Sequence, residues 1–363
     1  MHSPFMDFPE TLLDQPAEET ARLIVLRLLT DVAVARLRVG ESQDPEALHD
    51  FRVALRRLRS AVRAWRPQLA GTVTRRTRRR LRAIARATGR SRDLEVHLEW
   101  VRSRSAGLRP YQRAGAEWLL ARMDGRKVQA DQRLARRLTR DFARTEDHFR
   151  AGLSGFRVTV VPPLPAPHGA TGGAVLGRLV GELGSELASR LVAVRSIADQ
   201  VEAHQARIAG KRLRYVLEPV APRIDGAPAI IGQLKALQDG LGRLHDAHVF
   251  AGYLVRALQA AAAEQARRVS HELLAWAAPD ASVRDPAPGE DDPRLGLVAL
   301  AHRLHEEAEV AFGELKGVWL DGGAAPLLAD VAALAYRLAA EPGIAAGVAG
   351  IRPAEAPAFS FPP

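Results

Sequence analysis

Apolar residues recur at three- and four-residue spacing along most of the chain, the period of helices that turn one face to a core. In the first part the pattern runs over Thr20 to Val39, Pro45 to Trp65, Thr74 to Val101 and Tyr111 to Arg150. In the second it runs over Ala174 to Ser196, Ile197 to Val220, Ile230 to His271, Arg294 to Val318 and Ala325 to Ala340. Asp44-Pro45 reads as a helix start, with proline at the first helical position. Pro67 and Gly71 punctuate the break that follows. No segment alternates with period two, so the pattern predicts an all-α protein. Val161-Pro-Pro-Leu-Pro-Ala-Pro-His-Gly169 cannot be helical, because proline lacks the backbone donor and clashes with the preceding turn. The predicted organisation is an N-terminal segment (1–17), a first helical bundle (18–160), a Pro-rich linker (161–172), a second bundle (173–340) and a Pro-rich tail (341–363). A Pro/Asp-rich loop (279–293) interrupts the second bundle.

The two blocks resemble each other. Glu46-Ala-Leu-His-Asp-Phe-Arg-Val-Ala-Leu-Arg-Arg-Leu-Arg59 aligns with Val201-Glu-Ala-His-Gln-Ala-Arg-Ile-Ala-Gly-Lys-Arg-Leu-Arg214, at an offset of 155 residues. His49 then matches His204, Arg52 matches Arg207, Arg56 matches Lys211, Arg57 matches Arg212 and Arg59 matches Arg214. Downstream, Gly89-Arg-Ser-Arg-Asp93 aligns with Gly242-Arg-Leu-His-Asp246 at an offset of 153 residues. Two segments recurring in one order at nearly one spacing predict a tandem duplication, with a pseudo-twofold relation between antiparallel bundles.

Charge changes the picture next. Net charge is +10, carried by 52 basic residues, of which only Lys127, Lys211, Lys235 and Lys316 are lysines. Residues 1–160 hold 33 Lys and Arg against 19 Asp and Glu, and the remainder holds 19 against 23. Fifteen arginines and no acid lie from Arg52 to Arg92. On a helical wheel His49, Arg52, Arg56, Arg59 and Arg63 fall within about 80° of arc, opposite Phe51, Leu55, Leu58, Val62 and Trp65. His204, Arg207, Lys211 and Arg214 form the same front in the second half. Arg75, Arg78, Arg79, Arg82, Arg86 and Arg90 share one face of the next helix. A single basic face is ordinarily a solvated surface. Stacked like charges repel along a helix, however, and here they recur at matching places in both halves. Guanidinium forks suit phosphate oxygens, and an imidazole among them can donate a hydrogen bond or take a proton. Asp93 and Asp246, the anions beside these residues, are expected to be structural, orienting Arg90 and Arg243 or capping a turn.

Sharper catalytic motifs fail. His49-Asp50 and His245-Asp246 spell the His-Asp pair of metal phosphohydrolases but occupy different registers of the repeat. His245-Asp-Ala-His248 and His302-Arg-Leu-His305 lack the His-Glu-x-x-His zinc pattern. No Gly-rich Lys-Ser/Thr phosphate loop, nucleophile elbow or Glu-x-Glu-x-Lys signature of triphosphate tunnel enzymes occurs. Cysteine is absent, which excludes disulfides and thiolate metal sites. No apolar run is long enough to span a membrane, and Met1 to Glu10 has no signal-peptide pattern. These features predict a cytoplasmic protein with no catalytic residues, metal or cofactor.

The repeated His-x-x-Arg-(Val/Ile)-x-x-(Arg/Lys)-Arg-Leu-Arg core, each time followed by Gly-Arg-x-x-Asp, resembles the CHAD family, the conserved histidine α-helical domain. The resemblance covers roughly residues 18 to 340 and is to a stand-alone member without a CYTH domain. It implies two helical bundles around a basic central groove or pore that binds inorganic polyphosphate, and association with polyphosphate granules. Carried onto matching positions, it implicates His49, Arg52, Arg56, Arg57, Arg59, Arg90, His204, Arg207, Lys211, Arg212, Arg214, Tyr215 and Arg243. The wheel positions add Arg63, Arg79, Arg82 and Arg86. The leading expectation is therefore non-catalytic polyphosphate binding, with other polyanions as further partners. Nucleic-acid backbone binding comes second, because only Tyr215 on these fronts could stack a base. A metal-dependent phosphohydrolase comes third.

Overall fold

The computed structural model describes residues 8–39, 46–154, 170–276 and 292–340. Pro45, most of the linker, the loop from 279 to 291 and the tail lie outside the described residues. Among the described residues the chain is helical, with no strand and one isolated bridge between Pro16 and Thr171. The first half contributes α1 (Ala17–Arg38), α2 (Ala47–Ala64), α3 (Arg75–Ser105), α4 (Pro110–Arg137) and α5 (Ala143–Ser154). The second contributes α6 (Gly172–Val192), α7 (Gln200–Leu217), α8 (Ala227–Trp276), α9 (Pro293–Trp319) and α10 (Ala325–Ala339). No described helix is long and apolar enough to cross a membrane.

Two boundaries differ from the sequence expectation. The single helix expected over Tyr111 to Arg150 is interrupted by a π-helical turn at Leu138–Phe142. Leu138 and Phe142 are both buried there, so packing of this turn overrides regular α spacing. The helices expected to meet at Ser196 and Ile197 are instead separated, α6 ending at Val192 and α7 starting at Gln200. The Asp199 carboxylate accepts the backbone N–H groups of Arg195 and Ser196 at 2.9 and 2.8 Å, offering the backbone a local alternative to the helix. Other ends follow local chemistry. The hydroxyls of Thr74 and Thr171 cap α3 and α6, each accepting a backbone N–H at 3.2 Å.

Packing ties the halves together. Within the first half α1 packs on α2, α2 on α3 and α3 on α4; within the second, α6 packs on α7, α7 on α8 and α8 on α9. Across the halves α1 meets α6, α2 meets α7 and α4 meets α9. Buried side chains form two clusters, and neither belongs to one half. One joins Ile24, Phe51, Leu58 and Phe149 to Leu187, Leu213, Leu234 and Leu334. The other joins Val101, Leu119 and Met123 to Phe250, Leu254 and Leu300. At the crossing of α4 and α9, Gly115 and Gly296 face each other. A Cβ on Gly115 would overlap the Pro293 carbonyl, and one on Gly296 would overlap the Gln112 carbonyl. Backbone-to-backbone approach at that point needs glycine on both helices.

Candidate functional site

The amphipathic pattern of α2 sets its orientation. Phe51, Leu55, Leu58 and Val62 are buried, which leaves Arg52, Arg56, Arg59 and Arg63 on the opposite side. On α7 the buried Ala203, Ala206, Ala209, Gly210 and Leu213 do the same for His204, Arg207 and Lys211. Leu81, Ile84 and Thr88 seat α3, so that Arg79, Arg82, Arg86 and Arg90 are exposed.

The two motifs of each half come together in space. Arg52 donates to the Thr88 carbonyl at 2.5 Å and stands 3.7 Å from Asp93. Arg207 stands 3.9 Å from Asp246. In both pairs the arginine side chain is 19% exposed and the carboxylate about 60% exposed. A Cβ on Gly89 would lie 3.8 Å from Arg52 Nη1, and one on Gly242 would lie 3.9 Å from Arg207 Nε. The first arginine of each motif thus lies along the glycine turn of the second. The pairing differs from the expected one: Asp93 and Asp246 stand beside Arg52 and Arg207, while Arg243 is bound to Glu314.

The charged fronts of the halves also lie within electrostatic reach of each other. Burial, and then Asp93 against the neighbouring cations Arg56 and Arg92, leaves Arg52 below the ordinary arginine value. Arg59 is lowered by burial and by Arg82, Arg56, Arg86 and Arg63. Arg63 on α2 is lowered by burial and by Arg212 on α7. Lys211 is pushed down to about 6 by burial, with Arg207 and Arg56 adding to the shift. Asp93 is raised by burial and also feels Asp246 across the interface. The cations outnumber the two carboxylates between them, and Arg207 Nε is buried without a hydrogen-bond partner.

A family model for the CHAD domain matches residues 24–255, well over half of the chain. The chain belongs to the CHAD family. Its fold is similar to the CHAD domain from the plant Ricinus communis, at 23% identity and a TM-score of 0.59, covering 90% of this chain and 97% of that one. It is also similar to PptA from Streptomyces chartreusis, at 18% identity and a TM-score of 0.60, covering 84% and 99% respectively. No curated protein matches by sequence.

Within this CHAD fold the expected site residues fall into distinct settings. Arg52, Arg56, Arg59, Arg63, Arg207 and Lys211 form the group just described, with Arg82 and Arg86 beside Arg59. Others are held by acids or neighbours. Arg57 donates to Glu218 at 2.6 Å and Arg212 to Glu186 at 2.9 Å. Arg214 is shared among Gln238, Glu218 and Tyr215. Tyr215 is buried, its ring 4.7 Å from the Arg214 guanidinium. It supports Arg214 from below rather than facing solvent. His49 is exposed near the start of α2, and Arg79 and Arg90 are exposed on α3.

His245, named from the sequence only within rejected motifs, joins this group. His204 and His245 approach Nδ1 to Nδ1 at 3.2 Å, with ring centroids 4.6 Å apart. Burial, Arg207, His204 and Lys211 push His245 down to about 3, and burial with Arg207 and Lys211 lowers His204. The signal for it lies in the repeat, where His245 stands at the position of Arg92. The pairing with His204 itself spans two helices and has no local signature.

Proposed function

We propose that this CHAD protein binds inorganic polyphosphate without catalysis, in a basic cleft formed where the α2/α3 front of the first half meets the α7/α8 front of the second. The observation that carries the reading is the packing of α2 against α7, and the lowering of Arg63, Arg207 and Lys211 accompanies it. Burial acts first on each, and a cation of the facing helix adds to it: Arg212 for Arg63, and Arg56 for Arg207 and Lys211. Cations gathered this closely raise one another's free energy until an anion arrives. A linear chain with about one charge per phosphate would neutralise them in series, and its oxygens would accept the forked guanidinium donors. Asp93 and Asp246 serve as positioning residues for Arg52 and Arg207. The matched ion pairs support a duplicated, pseudo-symmetric origin for the two walls. Association with polyphosphate granules would follow from such binding.

The test is a titration of long-chain polyphosphate at several salt concentrations. Affinity should fall linearly in log–log form as counterions are released. Replacing Arg56, Arg59 and Arg63 together by Ala should abolish most binding; unchanged affinity would overturn the site. Duplex DNA displacing polyphosphate at equal phosphate concentration would favour the nucleic-acid reading. Phosphate release with Mg²⁺ or Mn²⁺ that disappears on Asp93→Asn or Asp246→Asn would overturn the non-catalytic reading.

A further inference from the structure

We infer that a second phosphate-binding site lies between α3 and the α4–α5 segment and extends the cleft, an inference that rests on the polyphosphate reading. A cavity of about 660 Å³ opens between α3, the end of α4, the π turn and the start of α5. α3 contributes Arg86 and Arg90, and the facing chain contributes Arg133, Arg136, Arg140 and Arg144. The last four come from α4, the π turn and α5, line one cavity, and are all exposed. Leu138 and Phe142 anchor the π turn in the core, while Arg140 between them faces the cavity. The acid in the lining, Asp141, is taken by Arg137 at 3.2 Å.

Several exposed arginines elsewhere meet acids, as in Arg102 with Asp124, Arg104 with Glu307 and Arg150 with Glu146. Here the guanidinium groups converge with one already-paired carboxylate among them. Arg86 belongs to both sites. It lines the cavity, and its charge depresses Arg59 on α2. A polymer leaving the cleft past Arg59 therefore meets Arg86 at the crest of α3 and then the α4–α5 arginines. A single phosphate could occupy either place but could not join them. The fitting ligand is a linear condensed-phosphate chain long enough to span α3. Once its first segment is bound, the second engages at high effective concentration.

The experiment compares Arg136→Gln/Arg140→Gln/Arg144→Gln with Arg190→Gln/Arg195→Gln/Arg268→Gln, which removes equal charge from elsewhere on the surface. Each is titrated with tripolyphosphate and with long-chain polyphosphate, and melting curves confirm folding. The cavity variant should bind the long chain about tenfold or more weakly, while tripolyphosphate changes within about twofold. Its salt slope should fall by about 0.7 to 0.9 for each phosphate that is no longer neutralised. The control variant should hold long-chain affinity within about twofold. Unchanged long-chain affinity in the cavity variant, or an equal weakening in the control, would overturn the second site alone. A wild-type protein that binds neither ligand would overturn the functional reading, and the second site with it.

Discussion

The first-half and second-half fronts match in sequence but carry different kinds of charge. On α2 and α3 the front is mostly guanidinium, with Arg56, Arg59, Arg63, Arg82 and Arg86 beside His49. Arginine stays protonated at any pH the fold survives. On α7 and α8 the corresponding front contains Lys211, His204 and His245, whose protons are loosely held. Its remaining arginines are largely engaged, Arg212 by Glu186, Arg214 by Glu218 and Arg243 by Glu314. One wall is thus permanently charged, whereas part of the other's charge rests on groups that hold their protons loosely. The regional balance, 33 basic against 19 acidic residues before position 161 and 19 against 23 after it, is the same contrast in bulk form.

The largest effect should come from deleting one wall at a time. Arg56→Ala/Arg59→Ala/Arg63→Ala removes three charge-assisted donors, each worth about 1.5–3 kcal/mol, so affinity should drop at least about a hundredfold. His204→Ala/Lys211→Ala/Arg243→Ala at pH 8 should cost no more than about tenfold, since two of the three are uncharged there before binding. Isothermal titration of both variants decides it. Equal effects would mean that the walls contribute alike.

A smaller effect concerns how the walls are held together. Glu218, at the end of α7, accepts Arg57 of α2 at 2.6 Å and Arg214 of its own helix at 2.7 Å. Its carboxylate is only 12% exposed. Glu218→Ala leaves two guanidinium groups with a missing partner, and should cost about 1–3 kcal/mol of stability in denaturant unfolding. Glu218→Gln, which keeps acceptor oxygen without charge, should recover part of that stability. If the two walls do not depend on this bridge, neither substitution will move the unfolding midpoint.

How much of this was legible in the sequence depends on the kind of information needed. Amphipathic periodicity locates the helices because burial on one face is written residue by residue, as Phe51, Leu55 and Leu58 illustrate. The repeat matches His49 with His204 and Arg52 with Arg207, and both arginines stand beside their aspartates in space. What stays hidden is pairing between elements. Nothing local tells Arg57 to reach Glu218, or Arg243 to find Glu314. Nor does a helical wheel reveal that Tyr215 turns inward beneath Arg214. The π turn is equally invisible, since Leu138 and Phe142 fit an uninterrupted helix by spacing alone. Nor does the repeat announce that both hydrophobic clusters draw side chains from each half.

The contrast between permanent and conditional charge has a direct consequence for pH. Lys211 is held at about 6 in the free protein, by burial first and then by Arg207 and Arg56, with Asp246 opposing and Arg214 adding. A bound polyanion favours the ammonium and raises that value. Between about 6 and the raised value, binding takes up a proton, so affinity should fall as pH rises through this window, by up to tenfold per unit at most. Below about 6 Lys211 is already charged and contributes no slope. His245, at about 3 when free, takes over there, and affinity should rise further as pH falls toward it. Lys211→Arg should flatten the upper part of the profile and raise affinity at pH 8, leaving the acidic part in place. His245→Gln should do the reverse. The two profiles, measured by titration from pH 5 to 9 at fixed ionic strength, separate the contributions. A wild-type profile that is flat across this range would show that the second wall carries no conditional charge, and would leave the α2/α3 arginines as the whole of the electrostatic attraction.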